Sequence, residues 1–293
     1  MSTIIKKVQN QFLRNIYNMP FWQHQAELEY QTAVAQHIPN LPVLSTTDMN
    51  LVETIKNEGV AITSLADLEI ASTPDMFQSA KNLMPKIPPS ITGNKNEFVV
   101  HASSQQIMEH PEIFLWGIEP RLINIVETYL GLPVAYHGAY FRRDIANQVE
   151  RKSRLWHIDK EDRKVLKIFI YLHDMTEDTG PFQYISQSVT TTVADTLKYN
   201  HGYIQDATMQ KFISPPHCQS CLGSAGTVVF AATGSIFHRG KPPVARDRFT
   251  IFFDYTSTRQ KLSSYRTLSL PEDDLILISQ NLAEQQRKCL FWQ

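Results

Sequence analysis

Residues 155–162 read LWHIDKED, and the fold turns on them. Side chains of an extended segment alternate between two faces, so His157 and Asp159 project together while Ile158 projects away. An imidazole and a carboxylate held on one face can serve a single ion, and the apolar residue between them can serve a core.

Two ligands do not make a site, and a lone His-X-Asp is common by chance. A third ligand is offered by GSIFHRG, residues 234–240, where His238 follows the apolar run TVVFAA of residues 227–232. It lies 238 − 159 = 79 positions beyond Asp159. Two histidines and one carboxylate, with the remaining coordination positions open, suit a non-haem Fe(II) centre. The pair His173–Asp174 is different: neighbouring strand residues face opposite ways and cannot chelate one ion without a bulge. His101, His110, His137 and His201 have no comparable neighbour and read as surface, core or pocket residues.

Ten positions after His238, Arg248 opens the run RFTIFFDYT. Alternation puts Arg248, Thr250 and Phe252 on one face and Phe249, Ile251 and Phe253 on the other. A guanidinium fork with a hydroxyl two residues later can receive both oxygens of a carboxylate. Pairing of Arg248 with Asp247, Asp254 or a surface acid is the plainer alternative.

Outward from these motifs, residues 133–258 carry short β-rich runs: PVAYHGAYF, RLWHID, KVLKIFIYLHD, PFQYI, TVVFAA and RFTIFFDYTS. Turn-prone segments separate them, which predicts a sandwich or barrel rather than a parallel sheet. On VLKIFIYLHD, the face Leu166, Ile168, Ile170 and Leu172 is apolar and suits covering helices; Lys167, Phe169 and Tyr171 form a mixed face suited to a pocket. Tyr140 and Arg142, on the preceding run, are further pocket candidates.

Residues 1–132 read as mainly helical. Ile5, Val8, Phe12 and Ile16 draw an amphipathic stripe, and start signals predict helices over 48–57, after Ser72–Pro74, over 104–116 and over 120–130. Residues 259–293 form an extension with a closing helix over 276–290. The expectation is one domain over 1–293. Residues 199–224 have little periodicity and read as a long lid or edge loop.

With 293 residues and 42% hydrophobic composition the chain can bury a sizeable core. A formal charge of −1 gives no basic field for nucleic acid. No apolar run reaches the roughly 18 residues of a membrane span. Three cysteines do not make a disulfide framework, and the opening residues lack a signal-peptide pattern, so a cytoplasmic location is expected. HCQSC, residues 217–221, lacks the second ligand pair of a zinc site and reads as ordinary cysteines in a loop. Nothing in these patterns sets an oligomeric state.

The ordered set WHID, IYLHDMTEDTGPFQYI, GTVVFAATGSIFHRG and RFTIFFDYTS resembles the phytanoyl-CoA dioxygenase-like family of Fe(II)- and 2-oxoglutarate-dependent oxygenases, across residues 133–258. The resemblance implies a double-stranded β-helix, a cupin-like jelly roll, with the N-terminal helices packed on one sheet. It implies that His157, Asp159 and His238 hold the iron, and that Arg248 and Thr250 hold the distal carboxylate of 2-oxoglutarate. O2 is then the second co-substrate, and a small-molecule or acyl compound is hydroxylated. Asp159 stands where halogenating relatives have a small residue, which favours hydroxylation. SQSV at 186–189 departs from the family's Pro-Gly-Ser-His stretch and leaves that loop's shape open.

Two other readings share the jelly roll. A cupin-like metal enzyme that does not use 2-oxoglutarate has no need of a carboxylate receptor at Arg248. A non-catalytic jelly-roll binding protein has no need of the complete set.

Overall fold

The β-rich runs assemble into two antiparallel sheets in the computed structural model, which describes residues 20–260 and 268–292. The strands are β1 (Val60–Ser64), β2 (Val99–His101), β3 (Val134–Asp144), β4 (Leu166–Tyr171), β5 (Phe182–Ile185), β6 (Cys218–Cys221), β7 (Thr227–Ala231), β8 (His238–Gly240) and β9 (Arg248–Ser257). The larger sheet runs β1-β7-β4-β9-β3-β2 and the smaller β6-β5-β8. Phe169, Tyr171, Val229 and Ala231 of the large sheet meet Phe182, Tyr184 and Cys221 of the small one, forming the inner core of a jelly roll.

The outer face of the large sheet carries Leu166, Ile168, Ile170, Phe141, Ile251 and Phe253, with Leu172 just beyond β4. The helices over 46–58, 73–83, 104–116 and 120–130 bury Val52, Met76, Phe114, Trp116 and Leu122 in the same cluster. The apolar face of β4 therefore packs under helices, as its period-two pattern predicts. Each helix has a local cause. Ser45 accepts from Asp48 N–H to start the first, and Gly59, at φ +84°, ends it in a conformation side chains rarely adopt. Pro120 starts the helix that Gly131 ends.

Several expectations change. The 104–116 segment is two helices, Ser104–Met108 and Pro111–Trp116, because Pro111 has no N–H to continue the first. The closing helix is also two, Glu272–Ile278 and Glu284–Leu290. The Ser279 hydroxyl donates to the Ile276 carbonyl at the first one's end, and the Gln286 side chain accepts from Ala283 N–H at the second one's start. Residues 199–224 are not a single loop: they hold a short helix, Asp206–Met209, and β6, whose backbone pairs with β5. Cys218 and Cys221 therefore sit on a sheet edge rather than in a loop, both as free thiols. SQSV opens a helix over Gln187–Leu197.

The chain divides into two units between Leu41 and Pro42. The described part of the first is the helix Pro20–His37 and a turn of 3-10 helix, Ile38–Asn40. The stripe at Ile5, Val8, Phe12 and Ile16 lies outside the described residues. No described helix is long and apolar enough to cross a membrane.

Candidate metal centre

The segment around His157 is less regular than a strand. Trp156 bridges Ile204, His157 bridges His238, and Asp159 N–H donates to the Thr233 carbonyl at 3.0 Å. Three successive partners prevent a continuous ladder, yet the alternation survives. Ile158 is buried with Trp156 and Phe237 in a core behind the small sheet. His157 and Asp159 face the space between the sheets, and reciprocal backbone hydrogen bonds of 3.1 and 3.0 Å tie His157 to His238.

Each imidazole is oriented by the carbonyl two residues before it. His157 Nδ1 lies 2.8 Å from Leu155 O, and His238 Nδ1 lies 3.1 Å from Ile236 O. A carbonyl only accepts, so both Nδ1 atoms carry hydrogen and both Nε2 atoms present lone pairs. Those Nε2 atoms lie 3.5 and 3.7 Å from the Asp159 carboxylate, and the three ligand atoms fall within 4.8 Å of one another. Burial holds the His157 imidazole below its ordinary pKa and takes that of His238 down to about 3, with His157 adding to the effect. Neutral imidazoles and a carboxylate aimed at one point repel unless a cation lies among them. The donor set therefore fits a divalent metal. It is the group of this kind found among the described residues.

Asp159 is itself buried, and Lys167 Nζ approaches its Oδ2 at 2.8 Å. Burial alone would raise the Asp159 pKa; the Lys167 ammonium and the two histidines outweigh it and hold the group ionised. Oδ2 is thus engaged by an ion pair with Lys167.

The strand register builds the rest of the site in three rows. Arg142, Thr250 and Tyr171 pair across β3, β9 and β4; Tyr140, Phe252 and Phe169 form the next row; Gly138, Asp254 and Lys167 the third. Four residues along β9 separate the first row from the third, about 13 Å. A cavity of 200 Å³ spans them, lined by all five pocket candidates and bounded by His157 and His238 as well as Arg248 and Thr250.

Arg248 is 2% exposed, and its partner is neither Asp247 nor Asp254. Its Nε and Nη2 lie 3.1 and 2.8 Å from Asp144 Oδ2, and Nη1 donates to the Gly180 carbonyl. Asp247 instead pairs with Arg143 at 2.7 Å. Arg142, although it lines the cavity, directs its guanidinium to Asp144 through contacts of 2.8 and 2.5 Å. Two donors of the Arg248 fork remain for another group. Beside it, the buried Thr250 hydroxyl has no hydrogen-bond partner. Gly240 completes the cradle: a Cβ there would come within 2.9 Å of Arg248 Nη2.

Asp144 and Gly240 were not singled out in the sequence, and Asp254 only as a possible partner of Arg248. Alternation places Asp144 on the face of Arg142 and Tyr140, but an acid ending a strand resembles a surface residue until its two arginines are seen.

No protein-family model and no curated protein sequence matches the chain. Solved structures do. EctD from S. alaskensis with 2-oxoglutarate and 5-hydroxyectoine aligns with a TM-score of 0.51 and 16% identity, over 78% of this chain and 82% of that one. The same protein with bound Fe gives 0.50 and 16%, over 78% and 81%. HygX from Streptomyces hygroscopicus with nickel, 2-oxoglutarate and hygromycin B gives 0.50 and 12%, over 77% and 95%. At such identities the likeness establishes the fold, a jelly roll of the cupin-like class. EctD is solved with Fe and, separately, with 2-oxoglutarate, and HygX with nickel and 2-oxoglutarate together.

Proposed function

We propose that the protein is an Fe(II)- and 2-oxoglutarate-dependent oxygenase, similar to the phytanoyl-CoA dioxygenase-like family, that hydroxylates an unactivated C–H bond of a small-molecule or acyl substrate. One observation carries this reading: a single cavity joins His157 and His238, which stand with Asp159 as one candidate ligand set, to an arginine fork beside a buried hydroxyl that lacks a partner. The solved neighbours with bound metal, 2-oxoglutarate or both support it. A metal enzyme without 2-oxoglutarate leaves the Thr250 hydroxyl unexplained.

In this reading His157, Asp159 and His238 hold the metal. Bound iron supplies the activation of O2 that couples decarboxylation of 2-oxoglutarate, to succinate and CO2, with oxidation of the substrate. Arg248 and Thr250 receive the distal carboxylate: the free guanidinium donors pair with its oxygens and the hydroxyl donates a further hydrogen bond. Asp144 fixes the fork, so the co-substrate meets a receptor already oriented. Phe169, Phe182 and Phe252 wall the cavity and exclude water from the reacting groups. The imidazole N–H bonds to Leu155 and Ile236 keep both lone pairs aimed at the centre. A cytoplasmic location belongs to the same proposal.

The test is succinate formation from 2-oxoglutarate by iron-loaded protein, against a panel of free amino acids, carrier-bound acids and lipid-like acids. Turnover with one class, abolished by Asp159→Ala, is the expected result. Full activity in Asp159→Ala would remove this constellation from the chemistry.

A further inference from the structure

Lys167 stands between two carboxylates on the wall of the cavity. Its Nζ lies 2.8 Å from Asp159 Oδ2 and 3.8 Å from Asp254 Oδ2. Lys167 and Asp254 are register partners on β4 and β9, so the backbone holds their side chains together on the inner face. The near carboxylate is a candidate metal ligand; the far one is not. Asp254 Oδ1 is buried without a hydrogen-bond partner, and so is Oε2 of Glu161, whose charge acts on the same group. Asp254 thus stands farther from the ammonium than Asp159 does, 3.8 against 2.8 Å, and keeps one oxygen, Oδ1, without a hydrogen-bond partner.

A divalent ion and an ammonium compete for one carboxylate. The attraction of the ion for Asp159 is opposed by a positive charge only a few ångströms away, unless that charge has another place to go. We propose that Lys167 is a positioning residue for the metal ligands: its ammonium balances Asp159 and passes to Asp254 as a divalent ion takes the carboxylate. The inference rests on the proposed metal site. It assigns Asp254 a role that proximity to the metal alone does not give, because Asp254 acts through Lys167.

Titration with Ni(II) alone, followed by calorimetry on the full chain, tests this without turnover. Lys167→Met removes the competing cation and should tighten Ni(II) binding by about tenfold or more, while metal-free protein, with Asp159 unbalanced, melts several degrees lower. Lys167→Arg should restore both values toward wild type. Asp254→Asn should weaken Ni(II) binding by about fivefold in the wild-type background. In the Lys167→Met background the same change should have little effect, since the residue it acts through is gone.

Lys167→Met protein that binds Ni(II) no more tightly than wild type overturns the proposal. So does an Asp254→Asn effect of equal size in both backgrounds, which would mark Asp254 as a simple field charge. If Lys167→Met does not fold, Asp254→Asn decides: affinity equal to or above wild type overturns the relay. Wild-type protein that fails to bind Ni(II) removes the metal reading itself, and this inference with it.

Discussion

Arg248 and Asp144 form a buried ion pair, 2.8 Å from Nη2 to Oδ2, with side chains 3% and 0% exposed. Asp144 is held a second time by Arg142, so one carboxylate aligns two guanidinium groups at the inner end of the cavity. Asp144→Asn leaves two arginines around a neutral amide. Breaking such a pair costs about 3–5 kcal/mol, because the remaining charge stays buried and uncompensated. Denaturant unfolding should show that loss, and the concentration of 2-oxoglutarate for half-maximal turnover should rise by at least about tenfold.

Asp144 also sets an acid limit. Burial alone would raise its pKa, but Arg142 and Arg248 outweigh burial and hold it well below the ordinary carboxylate value. A depressed folded-state pKa gives stability that is complete above the unfolded value, about 3.9, and lost as pH falls toward the folded one. Urea midpoints should therefore lose the Asp144 contribution below about pH 4. Asp144→Asn should show a flatter acid limb than wild type.

Thr250 offers a separation of stability from binding. Its hydroxyl is buried and without a partner, a cost of about 1 kcal/mol or more in the ligand-free fold. Thr250→Val keeps the shape and removes the hydroxyl. The variant should be as stable as wild type or slightly more so, and should bind 2-oxoglutarate about tenfold more weakly in a titration of metal-loaded protein. A loss of stability with unchanged binding would contradict the role given to the hydroxyl.

Gly240 tests the cradle from the other side. A Cβ at this position meets Arg248 Nη2 at 2.9 Å and Nη1 at 3.4 Å. Gly240→Ala should shift the fork and raise the apparent KM for 2-oxoglutarate several-fold, while Ni(II) affinity stays that of wild type.

The local periodicities carried well from sequence to structure. Leu166, Ile168 and Ile170 pack under the helices while Lys167, Phe169 and Tyr171 line the cavity, because a strand side chain has only two faces to choose from. Pro120 marked the start of the helix over 120–130, and the structure shows Gly131 ending it in the left-handed conformation. Partnerships across the fold were harder to read. Arg248 pairs with Asp144, 104 positions away, and Lys167 contacts Asp254 through strand register that is set only once the sheet forms. The same limit explains residues 199–224, where Cys218–Cys221 has too short a pattern to declare a strand and becomes one by pairing with Phe182–Ile185. The candidate ligand set was legible as a motif because His157 and Asp159 are two residues apart. Its closure by His238 depended on a backbone bridge that sequence spacing does not encode.

Anaerobic titration of iron-loaded protein with 2-oxoglutarate tests the central claim most directly. If His157, Asp159 and His238 hold the iron and Arg248 and Thr250 receive the co-substrate, a weak visible charge-transfer band should develop, saturate with added 2-oxoglutarate and shift to higher concentrations in Thr250→Val. Folded, iron-loaded wild-type protein that develops no such band would contradict the account.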